Sequence, residues 1–398
     1  MITDPLLIVE WREILMITFL YIVLSLSLFA PIYTYTIYPI VLKIVAVFIK
    51  REYKVNENYR PFVSILIAAY NEEKVIKEKI INLSQLDYPA DKIEFLIGSD
   101  GSSDRTVEIA KNYSHIKNLR VFDLPRGGKV NALNIMLKEV KGEVLVFSDA
   151  NSIYNSKAIQ ELVKYFKDDR IGCVSGQLRY KVDEISGHGA KSESTYWKYE
   201  NWVKVLESKL GRLSGANGAI YAVRKDLIKE IKKGIINDDF YVATSVLQSG
   251  YDVILETEAV AYEEPNDEFN SQFKRHIRDG AGHYQAITVL WRMLFPRKGS
   301  FVHVSHRVIR WSVPFFLITA FISNAILVGQ STVSTILFAC QVVGYLSMMI
   351  YYIAMKKGYH NKFINIVFYF FSINLSLLFG FFRLINRQQK STWETQRR

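Results

Sequence analysis

The sequence predicts an α/β domain, built on a doubly wound, mostly parallel sheet and inserted between transmembrane helices. Three observations lead there. Short β-rich runs alternate with helical patterns between residues 62 and 147, polar or glycine-rich stretches stand where each strand hands over to a helix, and long runs without a charged side chain flank the region on both sides. Strands alternating with helices build parallel sheets with helices on both faces.

The first element is apolar. Residues Ile14 to Leu42 carry no charge. A bilayer core of ~30 Å takes ~20 apolar residues as a helix, so this run supplies one span plus an interfacial extension, assigned to residues 1–50. Pro31 and Pro39 are candidate kinks, and Tyr33, Tyr35 and Tyr38 resemble an aromatic belt. Glu10 and Glu13 precede the run, where a removable signal peptide would be positively charged.

The domain assigned to residues 51–279 begins with Phe62 to Ala69 (FVSILIAA), a strand after Pro61. Tyr70 to Glu73 then open a helical pattern with Val75, Ile76, Ile80 and Leu83. Ile93 to Gly98 is a second strand, running into Ser99 to Asp104 (SDGSSD) and a helix with Thr106, Val107 and Ile109. Leu119 to Phe122 is a third strand, and Gly127-Gly128-Lys129 precedes a helix with Leu133, Ile135, Met136 and Leu137. Glu143 to Phe147 is a fourth, closed by Ser148 to Asn151 (SDAN). Such sheets bind ligands outside the carboxyl ends of their strands, where Tyr70, Asp100 and Asp149 fall. Farther on, Lys191 to Gly211 is helical and aromatic, suited to the membrane surface or to packing on the sheet.

The C-terminal part is again apolar. Gly280 to Phe295 has a mixed apolar and basic face, and residues 280–305 are expected to form an amphipathic interfacial helix. Residues 306–385 hold three further transmembrane segments: two from Ser312 to Met355, split at Gly329 to Thr332, and one from Phe363 to Phe382. A basic tail, 386–398, follows. Lys43 to Lys54, Arg307, Arg310, Lys356, Lys357 and Lys362 flank the runs. By the Lys/Arg bias of cytoplasmic loops, the middle of the chain is cytosolic in a multi-pass plasma-membrane protein. The tail is basic as well, although three later crossings would place it outside.

Composition excludes several classes. With 49% hydrophobic and 14% aromatic residues the chain is not disordered. Its two cysteines, Cys173 and Cys340, rule out a disulfide scaffold. The net charge of +11 collects beside apolar runs rather than along one face, which argues against nucleic acid. The charge-free runs exclude a purely soluble enzyme.

Seven motifs then occur in order: SILIAAYNE (Ser64 to Glu72), DGSSD (Asp100 to Asp104), RGGKVNALN (Arg126 to Asn134), SDAN (Ser148 to Asn151), GANGAIYAVR (Gly215 to Arg224), Asp238-Asp239, and QFKRH (Gln272 to His276). Together they resemble the membrane-embedded family-2 glycosyltransferases, related to cellulose, hyaluronan, chitin-oligomer and poly-N-acetylglucosamine synthases. The resemblance covers about Phe62 to Arg310. It implies a GT-A fold, a nucleotide-sugar donor (UDP-glucose or UDP-N-acetylglucosamine), a divalent metal (Mg2+ or Mn2+) and inversion at the anomeric carbon. The acceptor is then a growing polysaccharide, with the chain secreted across the membrane, or, alternatively, a lipid-linked acceptor that receives one sugar.

The residues support that chemistry in their own terms. A departing nucleotide diphosphate needs its growing charge neutralised by preorganised cations or a metal. Asp149 and Asn151 present two oxygens at a strand end, as hard divalent ions prefer; an ordinary turn is the other reading of Asp-x-Asn. The resemblance implies that Ala69, Tyr70 and Glu72 edge the nucleoside pocket and that Asp100 accepts a hydrogen bond from the base, while Asp104 or Ser102 caps the next helix. Lys129, after two glycines and at a helix start, suits a phosphate, or is simply solvated.

Asp239 is the candidate general base, since direct displacement needs a carboxylate near the acceptor hydroxyl. Asp238 stands beside it in place of the family's usual Glu; the pair would also suit a helix start. Gly215, Asn217 and Gly218 read as a platform under the acceptor sugar, or as a glycine turn. Gln272 and Arg275 share a helix face at i and i+3, with Arg275 able to grip diphosphate oxygens. His276 stands where the family carries Trp at the acceptor end, which favours transfer over long processive synthesis.

Overall fold

The structure, a computed structural model, describes residues 5–49, 51–181, 188–264, 269–359 and 361–389. Lys50 and the end of the tail, with Trp393, Arg397 and Arg398, lie outside them. The chain starts as helix α1 (Pro5–Ile32), passes through a π-turn at Tyr33–Ile37 and continues as α2 (Tyr38–Phe48). Pro31 and Pro39 bracket that π-turn. Missing proline N–H groups leave the helical ladder loose there, and a wider turn takes up the strain.

The sheet strands are β1 (Val63–Ala69), β2 (Ile93–Asp100), β3 (Leu119–Leu124), β4 (Val144–Asp149), β5 (Ile153–Tyr154), β6 (Ile171–Tyr180), β7 (Tyr221–Arg224) and β8 (Asp252–Glu263). Their order is β3-β2-β1-β4-β7-β6-β8-β5. The four strands expected from the sequence form the parallel block β3-β2-β1-β4. The other half is mixed: β7 runs antiparallel between β4 and β6, and β8 runs parallel to β6.

Every residue of β1 is buried, because helices cover both faces of the parallel block. Alternate side chains serve opposite cores. Ile65 and Ile67 join Ile80, Ile97 and Leu162 on one face, and Leu66 and Ala68 join Leu133, Met136 and Phe147 on the other. Each fully buried Ile or Leu contributes about 1.5–3 kcal/mol. The covering helices are α3 (Ile76–Ser84), α4 (Thr106–Lys111), α5 (Lys129–Leu137), α6 (Ala158–Val163), α7 (His188–Lys209) and α8 (Asp238–Gln248).

Helix α9 (Phe269–Val289) corrects an expected boundary. Residues 280–305 do not form one interfacial helix. Instead α9 crosses position 280 unbroken, and after a short 3₁₀ turn at Trp291–Leu294 the chain enters α10 (Ser300–Val302), a π-turn at His303–Val308 and α11 (Ile309–Ile326). The glycines inside α9 serve close packing. α12 (Thr332–Lys356) and α13 (Lys362–Ile385) complete the chain, and α9 lies along α13. A Cβ at Gly380 would stand 2.7 Å from the Ala281 nitrogen and the Ile277 carbonyl oxygen. Pro296 and Gly299, beyond α9, make the break that position 280 does not.

Four helical stretches among the described residues are long and apolar enough to cross a membrane: Trp11–Phe48, Ser300–Ile326, Thr332–Lys356 and Phe363–Ile385. Their outward faces expose side chains such as Phe19, Phe48, Ile350 and Phe363, which a water-facing helix would not gather in such number.

Candidate active site

The site lies at the carboxyl ends of β1 and β4, the crevice that a switch in strand order opens. In the β1–β4 ladder Asp149 pairs with Ala68. Lys129, the first residue of α5, places Nζ 2.9 Å from Asp149 Oδ1 and 3.2 Å from Asp238 Oδ1. Burial alone would discharge this lysine; the Asp149 and Asp238 carboxylates outweigh it and raise the ammonium's pKa. Burial likewise pushes the Asp149 carboxyl up, but Lys129 holds it below the usual carboxylate range.

Asp239 sits in the first turn of α8. Its Oδ1 accepts the Phe240 N–H at 2.8 Å and its Oδ2 accepts the Gly218 N–H at 2.9 Å. Burial, with the neighbouring Asp238 carboxylate, pushes Asp239 up to about 6, against the pull of Lys129. Such a value suits a base that must exchange a proton near neutral pH. The Asp238 and Asp239 pair is therefore both the start of a helix and a cavity wall. Asp238 Oδ2 is buried with no hydrogen-bond partner among the described residues.

Asp100 is placed differently from the expectation of a base contact at the cleft wall. Its side chain is fully buried. Oδ1 accepts the Gly127 and Gly128 N–H groups at 2.7 and 2.8 Å, and Oδ2 takes Arg126 Nη1 at 2.5 Å. The Gly127 and Gly128 N–H groups thus face Asp100, which anchors the turn before Lys129. Arg126 in turn lies over the Tyr70 ring, 3.3 Å from its centroid. Asp104 accepts the Thr106 N–H at the start of α4, the capping anticipated from DGSSD.

A cavity of about 460 Å³ gathers most of the expected residues. Tyr70, Glu72, Lys129, Asp149, Asn151, Gly215, Asn217, Gly218, Asp238, Asp239, Arg275 and His276 all line it. Ala69, Asp100 and Gln272 do not; all three are buried. The sequence reading missed the wall facing the apolar helices, where Tyr35, Glu200, Lys204, Arg307 and Arg310 stand. Arg307 and Arg310 had read only as charges that fix topology, and Tyr35 as belt.

The oxygens present fit a hard divalent cation: the Asp149 carboxylate, the Asn151 amide oxygen and the unpartnered Asp238 Oδ2. No group of three or more His, Cys, Asp or Glu among the described residues is arranged to hold a metal. A bound diphosphate would have to complete the coordination shell.

Residues 64–232 match the family model for glycosyl transferase family 2. The chain is 33% identical over 173 residues to the beta-monoglucosyldiacylglycerol synthase of Trichormus variabilis, a match covering 42% of the chain and 36% of that protein. It is 26% identical over 277 residues to the poly-beta-1,6-N-acetyl-D-glucosamine synthase of Staphylococcus epidermidis, covering 67% of the chain and 66% of that protein. The matches thus span about a third of the length of the first relative and less than two thirds of the second. Among solved structures, the mannosyltransferase PcManGT from Pyrobaculum calidifontis, in complex with GDP-Man and Mn2+, aligns with a TM-score of 0.69 at 21% identity, covering 91% of this chain and 99% of that one. That likeness is one of fold.

Proposed function

This chain carries a family-2 glycosyltransferase domain on the GT-A fold, set among apolar helices, and from that premise we propose that it transfers a sugar with inversion from a nucleotide sugar to a lipid-linked acceptor. The observation that carries this reading is the convergence of Asp149, Lys129, Asp238 and Asp239 on one cavity that also reaches α11 and α13.

In the proposed reaction Asp239 takes the proton of the acceptor hydroxyl. The freed oxygen bonds to the anomeric carbon from the side opposite the diphosphate. The bond from that carbon to the diphosphate oxygen breaks, and the electron pair leaves with the diphosphate. Lys129 and Arg275 balance the departing charge. Tyr70 and Glu72, with Ala69 behind them, border the nucleoside. Asp100 acts at one remove, by holding Arg126 over Tyr70. Gly215, Asn217, Gly218 and His276 seat the acceptor. A Mg2+ or Mn2+ ion at Asp149 and Asn151 would neutralise diphosphate charge when bound. The domain faces the cytosol, where nucleotide sugars are made, in agreement with the Lys/Arg bias.

A growing polysaccharide is the second acceptor reading, favoured by the likeness to the poly-N-acetylglucosamine synthase over 67% of the chain. His276 and the cationic cluster on the cavity wall favour the lipid-linked acceptor. The test is a panel of UDP- and GDP-sugars with Mg2+ or Mn2+ and a lipid-linked sugar acceptor, with nucleoside diphosphate release and product mass as readouts. UDP-glucose or UDP-N-acetylglucosamine is the expected donor, and a single added sugar the expected product. A ladder of products selects the polysaccharide reading, and no release with any donor removes both.

A further inference from the structure

The cavity is electrically divided. One cluster on its wall sets Asp149 and Asp238 against Lys129, with Asp239 beside them, and a second sets Arg307 and Arg310 against Glu200, with Lys204 one helical turn from Glu200. Two of the three cations in the second cluster are compensated. Arg307 and Arg310 each place Nη1 2.7 Å from a Glu200 oxygen, and Arg307 Nε also donates to the Ser214 carbonyl at 3.0 Å, one residue before Gly215. Glu207 binds Tyr38 at 2.9 Å and His306, both through Oε1, while its Oε2 is buried with no hydrogen-bond partner among the described residues.

Lys204 is different. It is 8% exposed and lines the cavity one helical turn after Glu200. Among the described residues it has the Trp197 ring at 5.4 Å, but neither a hydrogen bond nor a carboxylate in ion-pair range. Burial, opposed by Glu200, leaves its pKa below the usual lysine value. A largely buried ammonium that makes no hydrogen bond or ion pair of its own is costly, and an anionic ligand that pairs with it directly lowers that cost.

We propose that this second cluster is an anion subsite, in which Lys204, backed by Arg307 and Arg310, takes the phosphate that joins the acceptor to its lipid. The inference rests on the lipid-linked reading above and deepens it. The lipid source follows from the walls: Tyr35 from the π-turn between α1 and α2, over whose ring Arg310 lies at 4.7 Å, Trp311 from α11, and Ile373 and Leu377 from α13 line the same cavity, so an alkyl chain leaving the phosphate meets apolar helices rather than water. The Arg307–Ser214 bond couples the subsite to the Gly215–Gly218 platform, which in turn holds Asp239. A phosphate at Lys204 therefore aims the attached sugar at the base.

The test uses the full chain in nanodiscs and three probes, dodecyl phosphate, dodecanol and inorganic phosphate, with calorimetry on the wild type, Lys204→Met and Lys204→Arg. Dodecyl phosphate is expected to bind the wild type, to bind Lys204→Met about tenfold or more weakly, and to recover with Lys204→Arg. Nucleoside diphosphate affinity stays unchanged in both variants, which certifies the fold and the donor end. Equal dodecyl phosphate affinity in wild type and Lys204→Met overturns the subsite, as does dodecanol binding equally well. Inorganic phosphate binding as tightly as dodecyl phosphate overturns the lipid source. Absence of sugar transfer with intact, Lys204-dependent dodecyl phosphate binding removes the proposed reaction and leaves the subsite standing.

Discussion

Gly218 donates its N–H to Asp239 Oδ2 across 2.9 Å. A Cβ at the same position would stand 3.3 Å from that oxygen and 3.3 Å from Asp149 Oδ2. One residue without a side chain thus sets the spacing between the candidate base and the carboxylate at the end of β4.

Gly218→Ala is expected to displace both carboxylates by a few tenths of an ångström. Transfer falls by about tenfold, since small misplacements of reacting groups cost this much or more, with little change in melting temperature. Gly215→Ala behaves oppositely. Its φ is +97° and its Cβ would meet Phe240 at 2.5 Å, so the loss is mainly of stability, about 1–3 kcal/mol, read by thermal unfolding. Equal stability losses in the two variants would refute the distinction.

Asp239→Asn removes the base. Transfer drops by about 10²–10⁴-fold while nucleoside diphosphate still binds. In the wild type kcat/KM falls as the pH drops through about 6, because a carboxyl raised to about 6 is protonated below that value and cannot accept the acceptor's proton. A flat pH profile between 5 and 7, with chemistry rate-limiting, would assign the base elsewhere.

Lys129→Met shifts that acid limb. Lys129 holds the Asp239 value down, so its removal moves the limb to higher pH as well as weakening nucleoside diphosphate binding. Weaker binding with an unmoved limb would mean that Lys129 does not act on Asp239.

Chelation is expected to abolish transfer, and Asn151→Asp to lower the Mn2+ concentration that half-restores it, because a second carboxylate strengthens a site of hard oxygens. A metal titration of both forms decides it. An Asn151→Asp curve identical to the wild type places the ion away from residue 151.

Asp100→Asn loses the charge that holds three donors, the Gly127 and Gly128 N–H groups and Arg126. Charge-assisted bonds of this kind contribute about 1.5–3 kcal/mol each. A fall in melting temperature accompanied by weaker nucleotide binding is expected, since Arg126 is released from Tyr70. Unchanged nucleotide affinity would confine Asp100 to a folding role.

The legible part of the protein was the part written locally. Asp149 and Asn151, or Asp238 and Asp239, lie within one turn of a strand or helix end, so their spacing in sequence is close to their spacing in space. The first four strands were legible for the same reason, being complete hydrophobic runs between turns. Lys204 and Glu200 sit in an aromatic helix whose face is set by docking on α2, α13 and β8, and the Glu200 partners Arg307 and Arg310 come from a chain segment over 100 residues away. The contacts of Asp100 were not legible because a carboxylate at a strand end binds whichever donors the fold brings, and here those are two glycine amides and Arg126 of the next loop.

The seam between α9 and α13 has a practical consequence. With a Gly380 Cβ only 2.7 Å from backbone atoms of α9, the helix that bears Arg275 and His276 leans directly on one of the candidate bilayer crossings. A truncation ending before Lys362 would strip one wall from the helix that bears Arg275 and His276. Turnover is expected to respond to bilayer thickness through the tilt of α13, read as the transfer rate in nanodiscs of lipids of different chain length.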